Sequence, residues 1–150
     1  MAVVPVSRTT ISYLVAILIV GGFLGVTAGA ARQGLVARYY ATPEWTGAPV
    51  AAGLDDRVAT DVLAARMGAG TSAGFSARWQ GFLRVDHPAE YQFTLVSNDV
   101  AWLSLDGRLR VNNGAYGSSS QTASVPLEAG LHAVDLAFFS HGEDFQLELL

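Results

Sequence analysis

The chain has 150 residues, enough for one domain with an appendage, and its lack of cysteine excludes disulfides and thiolate metal sites. Hydrophobic residues make up 51% of the chain and charged residues only 15%, and the apolar excess lies at the N-terminus. From residue 33 onward, seven arginines stand against thirteen acidic residues, and this net charge of −6 argues against nucleic acid and anionic lipid surfaces as partners.

The first predicted element is a transmembrane helix over residues 9–31, which carry no charge and are almost wholly apolar between 11 and 20. A helix needs about 20 such residues to cross a bilayer. The small residues at 28–30 also fit a cleavage site, so a cleaved secretory signal is the alternative. The length of the span favours an uncleaved anchor, with residues 1–8 before it and a short link at 32–33.

Within this predicted helix, Gly21, Gly25 and Gly29 recur every four residues and would lie on one face. In lipid, such a strip lets another helix approach closely, so it predicts packing against a second transmembrane helix. The alternative is that glycine is simply more frequent in membrane helices than in soluble ones.

The remainder of the chain, residues 34–150, has the pattern of a β protein, with short alternating segments separated by turn residues. Strands are predicted at 35–40, 75–85, 91–95, 100–105, 108–111, 123–127, 131–139 and 144–150. Residues 41–56 predict a loop because of their prolines and glycines, and 112–122 predict a second one. Residues 59–67 fit either a strand or a short helix. About eight strands at this spacing predict an antiparallel sandwich or barrel.

The central stretch, residues 75–107, predicts which side chains enter the core. Odd positions from 75 to 85 are apolar and even positions are polar, except at Phe82. The alternation places Trp79 inside, and the apolar neighbours of Trp102 suggest that this ring is also in the core. Short turns between these strands predict an antiparallel meander. Trp45, in the predicted loop, is the candidate exposed aromatic contact.

The motifs in this stretch resemble a known family. They are Phe75-Ser76-x-Arg78-Trp79-x-Gly81, Tyr91-x-Phe93, Ser97-Asn98-Asp99 and Leu103-x-Leu105-Asp106-Gly107. Their order and spacing resemble the protective-antigen fourteen-kilodalton (PA-fourteen) domain family. The resemblance covers roughly residues 34–150, although the final strand lacks the aromatic residue expected there. It implies a β-sandwich outside the cytoplasm, of a kind found in adhesins, toxins and glycosidase inserts and often binding glycans.

The same resemblance implies a candidate calcium site. In flocculin-like members, two adjacent aspartates and a loop asparagine bind calcium, which contacts sugar hydroxyls. The corresponding residues here are Asn98, Asp99, Asn112 and Asn113. Because Asn98 replaces an acid, one negative charge is lost, and we expect no calcium at physiological concentration. The alternative is that Asp99 and Asp106 cap turns through their own side chains.

No catalytic arrangement stands out in the sequence. His87, His132 and His141 lack metal-ligand spacing, and Glu143 and Asp144 are adjacent, so they would point to opposite faces of a strand. The sequence therefore predicts a protein that is not an enzyme and that has no cofactor.

Three hypotheses for function remain. The first is a structural subunit of a larger membrane complex, such as a photosynthetic or respiratory assembly, with the lipid bilayer and other transmembrane helices as partners. The second is a membrane-tethered carbohydrate-binding module. The third is the N-terminal part of a larger membrane glycosidase or adhesin. In each, the resemblance places the N-terminus in the cytoplasm and the domain in the periplasm or outside a bacterial inner membrane.

Overall fold

Nine β-strands and one short helix make up the described part of the chain, which is residues 33–68, 74–114, 119–142 and 144–150 of a computed structural model. The predicted transmembrane segment 9–31, with its glycine strip, lies outside these residues. Across the described ranges, no helix has the length and apolar character needed to span a membrane.

The elements follow one another along the chain in the order of their numbers, with the helix α1 between β2 and β3. They are β1 (Leu35–Tyr40), β2 (Ala51–Asp55), α1 (Thr60–Met67), β3 (Phe75–Val85), β4 (Ala89–Ser97), β5 (Val100–Leu105), β6 (Arg108–Asn113), β7 (Ser119–Leu127), β8 (Gly130–Ser140) and β9 (Leu147–Leu149).

The strands form two antiparallel sheets that share one core. Six strands follow the order β2-β1-β3-β8-β5-β6, and three follow the order β7-β4-β9. The longest pairing joins β3 to β8, from Phe75 opposite Ser140 to Val85 opposite Gly130. Inward side chains of both sheets, such as Trp79 and Leu95, belong to a single buried cluster. This arrangement confirms the predicted mostly β fold with antiparallel sheets.

The alternation predicted for the central strand is confirmed. Phe75, Ala77 and Trp79 of β3 are completely buried, whereas Arg78 between them is exposed. Phe82, the exception in the pattern, is 66% exposed. Alternation works here because successive side chains of a strand point to opposite faces and only one face of the six-stranded sheet covers the core.

The predicted meander is wrong, because β3 and β4 lie in different sheets and β5 returns to the first. Among the strands of this stretch, β3 to β6, only β5 and β6 form a hairpin within one sheet, through the turn at Asp106 and Gly107. Short connections can join either neighbours in one sheet or strands across a sandwich, and alternation is the same in both cases. Strand spacing alone therefore could not distinguish the two topologies.

Other corrections concern the loops. Part of the predicted loop 41–56 is strand β2, which pairs with β1. A Cβ at its Gly53 would come within 2.8 Å of the Arg66 guanidinium, so the arginine that binds Asp55 would have to shift. The second predicted loop, 112–122, is also shorter than expected, because β6 reaches Asn113 and β7 begins at Ser119. Residues 59–67 form a helix rather than a strand over 60–67.

A buried carboxylate joins four of these elements. Asp55, at the end of β2, accepts hydrogen bonds from Trp79 Nε1 at 2.9 Å and from Arg66 Nη2 at 2.6 Å, and it also accepts one from the Tyr39 hydroxyl. Tyr39 and Trp79 are fully buried and meet edge to face, with ring centroids 5.7 Å apart. These hydrogen bonds connect β1, β3 and α1 to β2 through one acceptor. Asp55 itself is only 4% exposed, so water cannot replace these donors.

The surroundings keep this carboxyl ionised. Burial by itself raises the pKa of Asp55, but hydrogen bonds from Tyr39, Arg66 and Trp79 outweigh it, so the pKa of the carboxyl is lower than its usual value. Burial also raises the pKa of the Tyr39 hydroxyl, and the neighbouring Asp55 charge raises it further. Tyr39 is therefore a neutral donor and Asp55 a charged acceptor at neutral pH.

Replacing Asp55 with Asn keeps the side-chain size but removes the charge that three donors share. We expect Asp55→Asn to lower the free energy of unfolding in urea by about 3 kcal/mol, the lower end for a broken buried pair. The lower end applies because the Arg66 side chain is 35% exposed. Asp56→Asn is the matched control, since Asp56 is exposed, and it should change stability by less than about 0.5 kcal/mol.

The same carboxyl predicts a pH dependence. Because folding lowers the pKa of Asp55, its contribution is fully present above its ordinary pKa of about 3.9 and is lost as pH falls through the lower folded value. We expect the stability of the wild type to fall more steeply with acid than that of Asp55→Asn, measured by urea unfolding from pH 6 to pH 2.5. Parallel curves for the two proteins would contradict this.

Candidate functional site

The side of the six-stranded sheet that faces away from the core, called here the outer face, carries a group of aromatic side chains. Trp45, Trp102, Phe139 and His141 form this aromatic cluster. Ring centroids of Trp45 and Trp102 are 6.0 Å apart, and each lies slightly farther from Phe139, at 6.2 and 6.3 Å respectively. His141 contacts Phe139 edge to face at 4.9 Å. His141 is exposed and the other three rings are partly exposed.

Strand register brings two of these rings together. Trp102 of β5 lies opposite Ala137 of β8, and Phe139 lies two residues further along β8. Because residues two apart share a face, Trp102 and Phe139 are diagonal neighbours on the outer face. The sequence prediction that Trp102 belongs to the core is therefore wrong. Its neighbours Leu103 and Leu105 do face inward, but alternation turns Trp102 outward.

Trp45 reaches the cluster from the loop between β1 and β2, and it is fixed there by two hydrogen bonds. Its backbone N–H donates to Ser76 Oγ at 3.0 Å, and its indole Nε1–H donates to the carbonyl of Ala77 at 3.1 Å. Its φ of 53° lies in the left-handed region, which residues other than glycine rarely adopt. With both N–H groups satisfied, the ring offers an apolar surface to a ligand and no donor.

A polar row crosses the outer face beside the cluster. Arg78 binds Asp135 through two parallel hydrogen bonds of 2.8 and 2.6 Å, and Gln80 Nε2 donates to the same carboxylate at 3.2 Å. Arg38 Nη1 donates to Gln80 Oε1 at 3.1 Å. Mainly because of the Arg78 hydrogen bonds, the pKa of Asp135 is below its usual value. Arg38, Arg78, Gln80 and Asp135 are together called the polar row.

The polar row borders an open groove of about 510 Å³. Val36, Arg38 and Gln80 line one part of it, and the exposed ring of Phe82 stands beside them. The aromatic cluster, polar row and groove thus lie side by side on one sheet face. No sequence signal indicated the groove, because it depends on the register of β1, β3 and β8.

The residues of the predicted calcium site are only partly brought together. The Asn98 side chain donates from Nδ2 to the carbonyl of Asp144 and accepts from the backbone N–H of Gln146, both at 2.6 Å. Asp99 is buried and its Oδ2 accepts from Ser140 Oγ at 2.8 Å. These bonds hold the turn before β5 against the segment that follows β8.

The two asparagines of β6 point to opposite faces, as adjacent strand residues must. Asn113 is buried, and it donates to Ser97 Oγ at 2.8 Å, while Ser119 Oγ donates to its Oδ1. Asn112 is exposed on the outer face opposite Trp102. The side chains of Asn98, Asp99 and Asn113 are thus engaged within the protein. Over the described ranges, no three His, Asp or Glu side chains are grouped so that they could hold a metal ion.

We expect calcium to leave the melting temperature of the full chain unchanged at millimolar concentration. The amides of Asn98 and Asn113 already have protein partners, and the ligand set has one charge fewer than a pair of aspartates would give. Differential scanning calorimetry with calcium, and with magnesium as the control, checks this. A rise in melting temperature with calcium alone would contradict the expectation.

Solved structures share the fold. An anti-sigma factor domain-containing protein is 23% identical with a TM-score of 0.69, over 79% of this chain and 42% of that one. The PA14 sugar-binding domain from an RTX adhesin is 17% identical with a TM-score of 0.64, over 79% of this chain and 89% of that one. A β-glucosidase from Kluyveromyces marxianus in complex with glucose is 18% identical with a TM-score of 0.64, over 82% of this chain and 16% of that one.

At these identities the likeness shows the fold alone, and the chain spans less than half of the length of the anti-sigma factor protein. No curated protein matches the chain. The family model of the PA14 domain matches residues 31–149, and the chain therefore belongs to the PA14 domain family.

Proposed function

We propose that this domain is a glycan-binding module and that the aromatic cluster is its contact surface. The observation that carries the proposal is the gathering of three partly exposed rings, Trp45, Trp102 and Phe139, on one sheet face. They come from a loop and from two different strands. Aromatic rings at a surface bind the apolar C–H faces of sugar rings, and nearby polar groups then bind the hydroxyls.

The surroundings of the cluster suit such a ligand. Asn112 is exposed opposite Trp102, and the Asp135 carboxylate lies two residues before Ala137 on β8. Both provide oxygen acceptors for sugar hydroxyls at the border of an apolar surface. The relative from an RTX adhesin is described as a sugar-binding domain, which supports the same class of ligand here.

The module binds its glycan without chemical conversion and acts outside the cytoplasm, held by the predicted helix 9–31. Support for this comes from the sequence, which has no catalytic arrangement and has a long uncharged apolar segment before the domain. A structural subunit of a membrane complex is the second candidate, favoured by the strip of Gly21, Gly25 and Gly29. Its test is which proteins co-purify with the full chain from detergent-solubilised membranes.

Trp102→Ala tests the binding surface. We expect it to weaken the best ligand from an immobilised glycan panel by about tenfold or more, as loss of a contact worth about 1.4 kcal/mol implies. Isothermal titration measures the affinity, and circular dichroism establishes that the variant is folded. Because Trp102 is on the outer face and only partly buried, its loss should leave the core intact.

Val50→Ala is the control, because Val50 is 59% exposed and is not part of the cluster. His141→Ala removes another ring of the cluster and should also weaken binding. A Trp102→Ala variant that binds as tightly as the wild type would show that the glycan, if any, binds elsewhere.

A further inference from the structure

We propose that the glycan bound on the outer face is an acidic saccharide and that Arg38 receives its carboxylate. This inference rests on the proposed function and specifies the chemical class of its ligand. It follows from three features: the charge balance of the polar row, the position of the groove and the distance from Arg38 to the aromatic cluster.

The first feature is a pair of like charges. Arg38 of β1 lies directly opposite Arg78 of β3. Like charges directly opposite each other across two strands are destabilising. The carboxylate of Asp135 compensates one of these charges, because it binds Arg78 through both oxygens. Among the described residues, Arg38 donates only to the neutral amide oxygen of Gln80.

The polar row therefore carries two positive charges and one negative charge, in a domain whose overall balance is strongly acidic. Four of the seven arginines in the described residues form ion pairs, namely Arg57 with Asp61, Arg66 with Asp55, Arg78 with Asp135 and Arg84 with Asp86, whereas Arg108 and Arg110 form none. Within the described part of the chain, Arg38 has no carboxylate partner. An incoming carboxylate would balance the row and relieve the repulsion between Arg38 and Arg78.

The second feature is the groove. Arg38 and Gln80 line it together with Asp135, and Phe82, which is 66% exposed, offers an aromatic surface beside them. Its volume of about 510 Å³ accommodates one or two sugar rings. The planar guanidinium group of arginine presents parallel N–H donors that match the two oxygens of a carboxylate. An acidic sugar would therefore find a ring surface and a fitted cation in one place.

The third feature is spacing. Neighbouring strands are about 4.8 Å apart and residues rise about 3.4 Å along a strand, so Arg38 on β1 is about 12 Å from Phe139, two strands across and two residues along. That separation corresponds to two linked sugar rings. A saccharide with one ring on the aromatic cluster would thus bring a carboxylate of the next ring toward Arg38.

The test compares two probes with the same sugar backbone, tetragalacturonate and its fully methyl-esterified form, which lacks the negative charges and carries a methyl group on each carboxyl, by isothermal titration with the full chain. We expect the wild type to bind the acid about tenfold more tightly than the ester, as a charge-assisted hydrogen bond implies. Arg38→Ala should remove this preference, because it weakens binding of the acid far more than binding of the ester. Arg38→Lys should retain part of the preference for the acid, since lysine keeps the positive charge but lacks the two parallel N–H donors of the guanidinium group.

Arg84→Ala is the matched control, because Arg84 of β3 is exposed like Arg38 of β1 but is paired with Asp86. It should keep the preference for the acid. The melting temperature of Arg38→Ala should equal or exceed that of the wild type, since the substitution removes a like-charge pair. A purely structural role for Arg38 would instead lower the melting temperature and weaken both probes to the same extent.

The outcomes separate this inference from the proposed function. Equal binding of acid and ester, or binding of neutral panel glycans only, would overturn the inference and leave the glycan-binding function standing. Equal binding of a tetraglutamate peptide would show that the ligand is an acidic peptide and would overturn the inference. Binding of no saccharide would overturn both. If Arg38→Ala removes the preference while Trp102→Ala has no effect, the acid site is supported and the aromatic cluster is not.

Discussion

The carboxylate of Asp55 is the constraint on which the six-stranded sheet depends. A charge in a protein interior is tolerated only when donors surround it. Here the donors come from Tyr39, Trp79 and Arg66, which lie on β1, β3 and α1. The network therefore fixes how the edge hairpin β1–β2 lies against the central strand. A purely apolar core could bury the same rings, but it would specify their orientation less strictly.

That orientation matters because the outer face is the other side of the same strands. Where Trp79 points in, Arg78 must point out, and where Tyr39 points in, Arg38 must point out. Because the side-chain period is two, a slip of one residue in β1 would turn Tyr39 outward and Arg38 inward. The buried network and the polar row are thus two consequences of one register. Trp45 follows from it as well, since its hydrogen bonds are to Ser76 and Ala77 of β3.

The sequence predicted the alternation within single strands well, but it did not predict which strands and side chains come together. Which side of β3 is buried could be read from residues 75–85, because polar and apolar residues alternate there almost without exception. The position of Trp102 could not, since β5 has apolar residues on both faces and its outward tryptophan resembles a core residue.

Trp45 was singled out from its loop, but Phe139 and His141 were not, because their role depends on the register of β5 and β8. The polar row was also missed, since β1, β3 and β8 are far apart in sequence. The sequence could not place the candidate calcium ligands either, because the partners that engage Asn98 and Asn113 are set by tertiary structure.

The pairing of β3 with β8 has a consequence for how the chain folds. These two strands are the centre of the larger sheet, yet four other strands lie between them along the chain. Closing so long a loop costs entropy before any contact repays it, so nonlocal pairing of this kind slows folding. Until β8 arrives, β3 has an unpaired edge eleven residues long, with Phe75, Ala77 and Trp79 exposed on one side. Such an edge is a template for wrong pairing between chains, so we expect aggregation of this domain to compete with the pairing of β3 and β8.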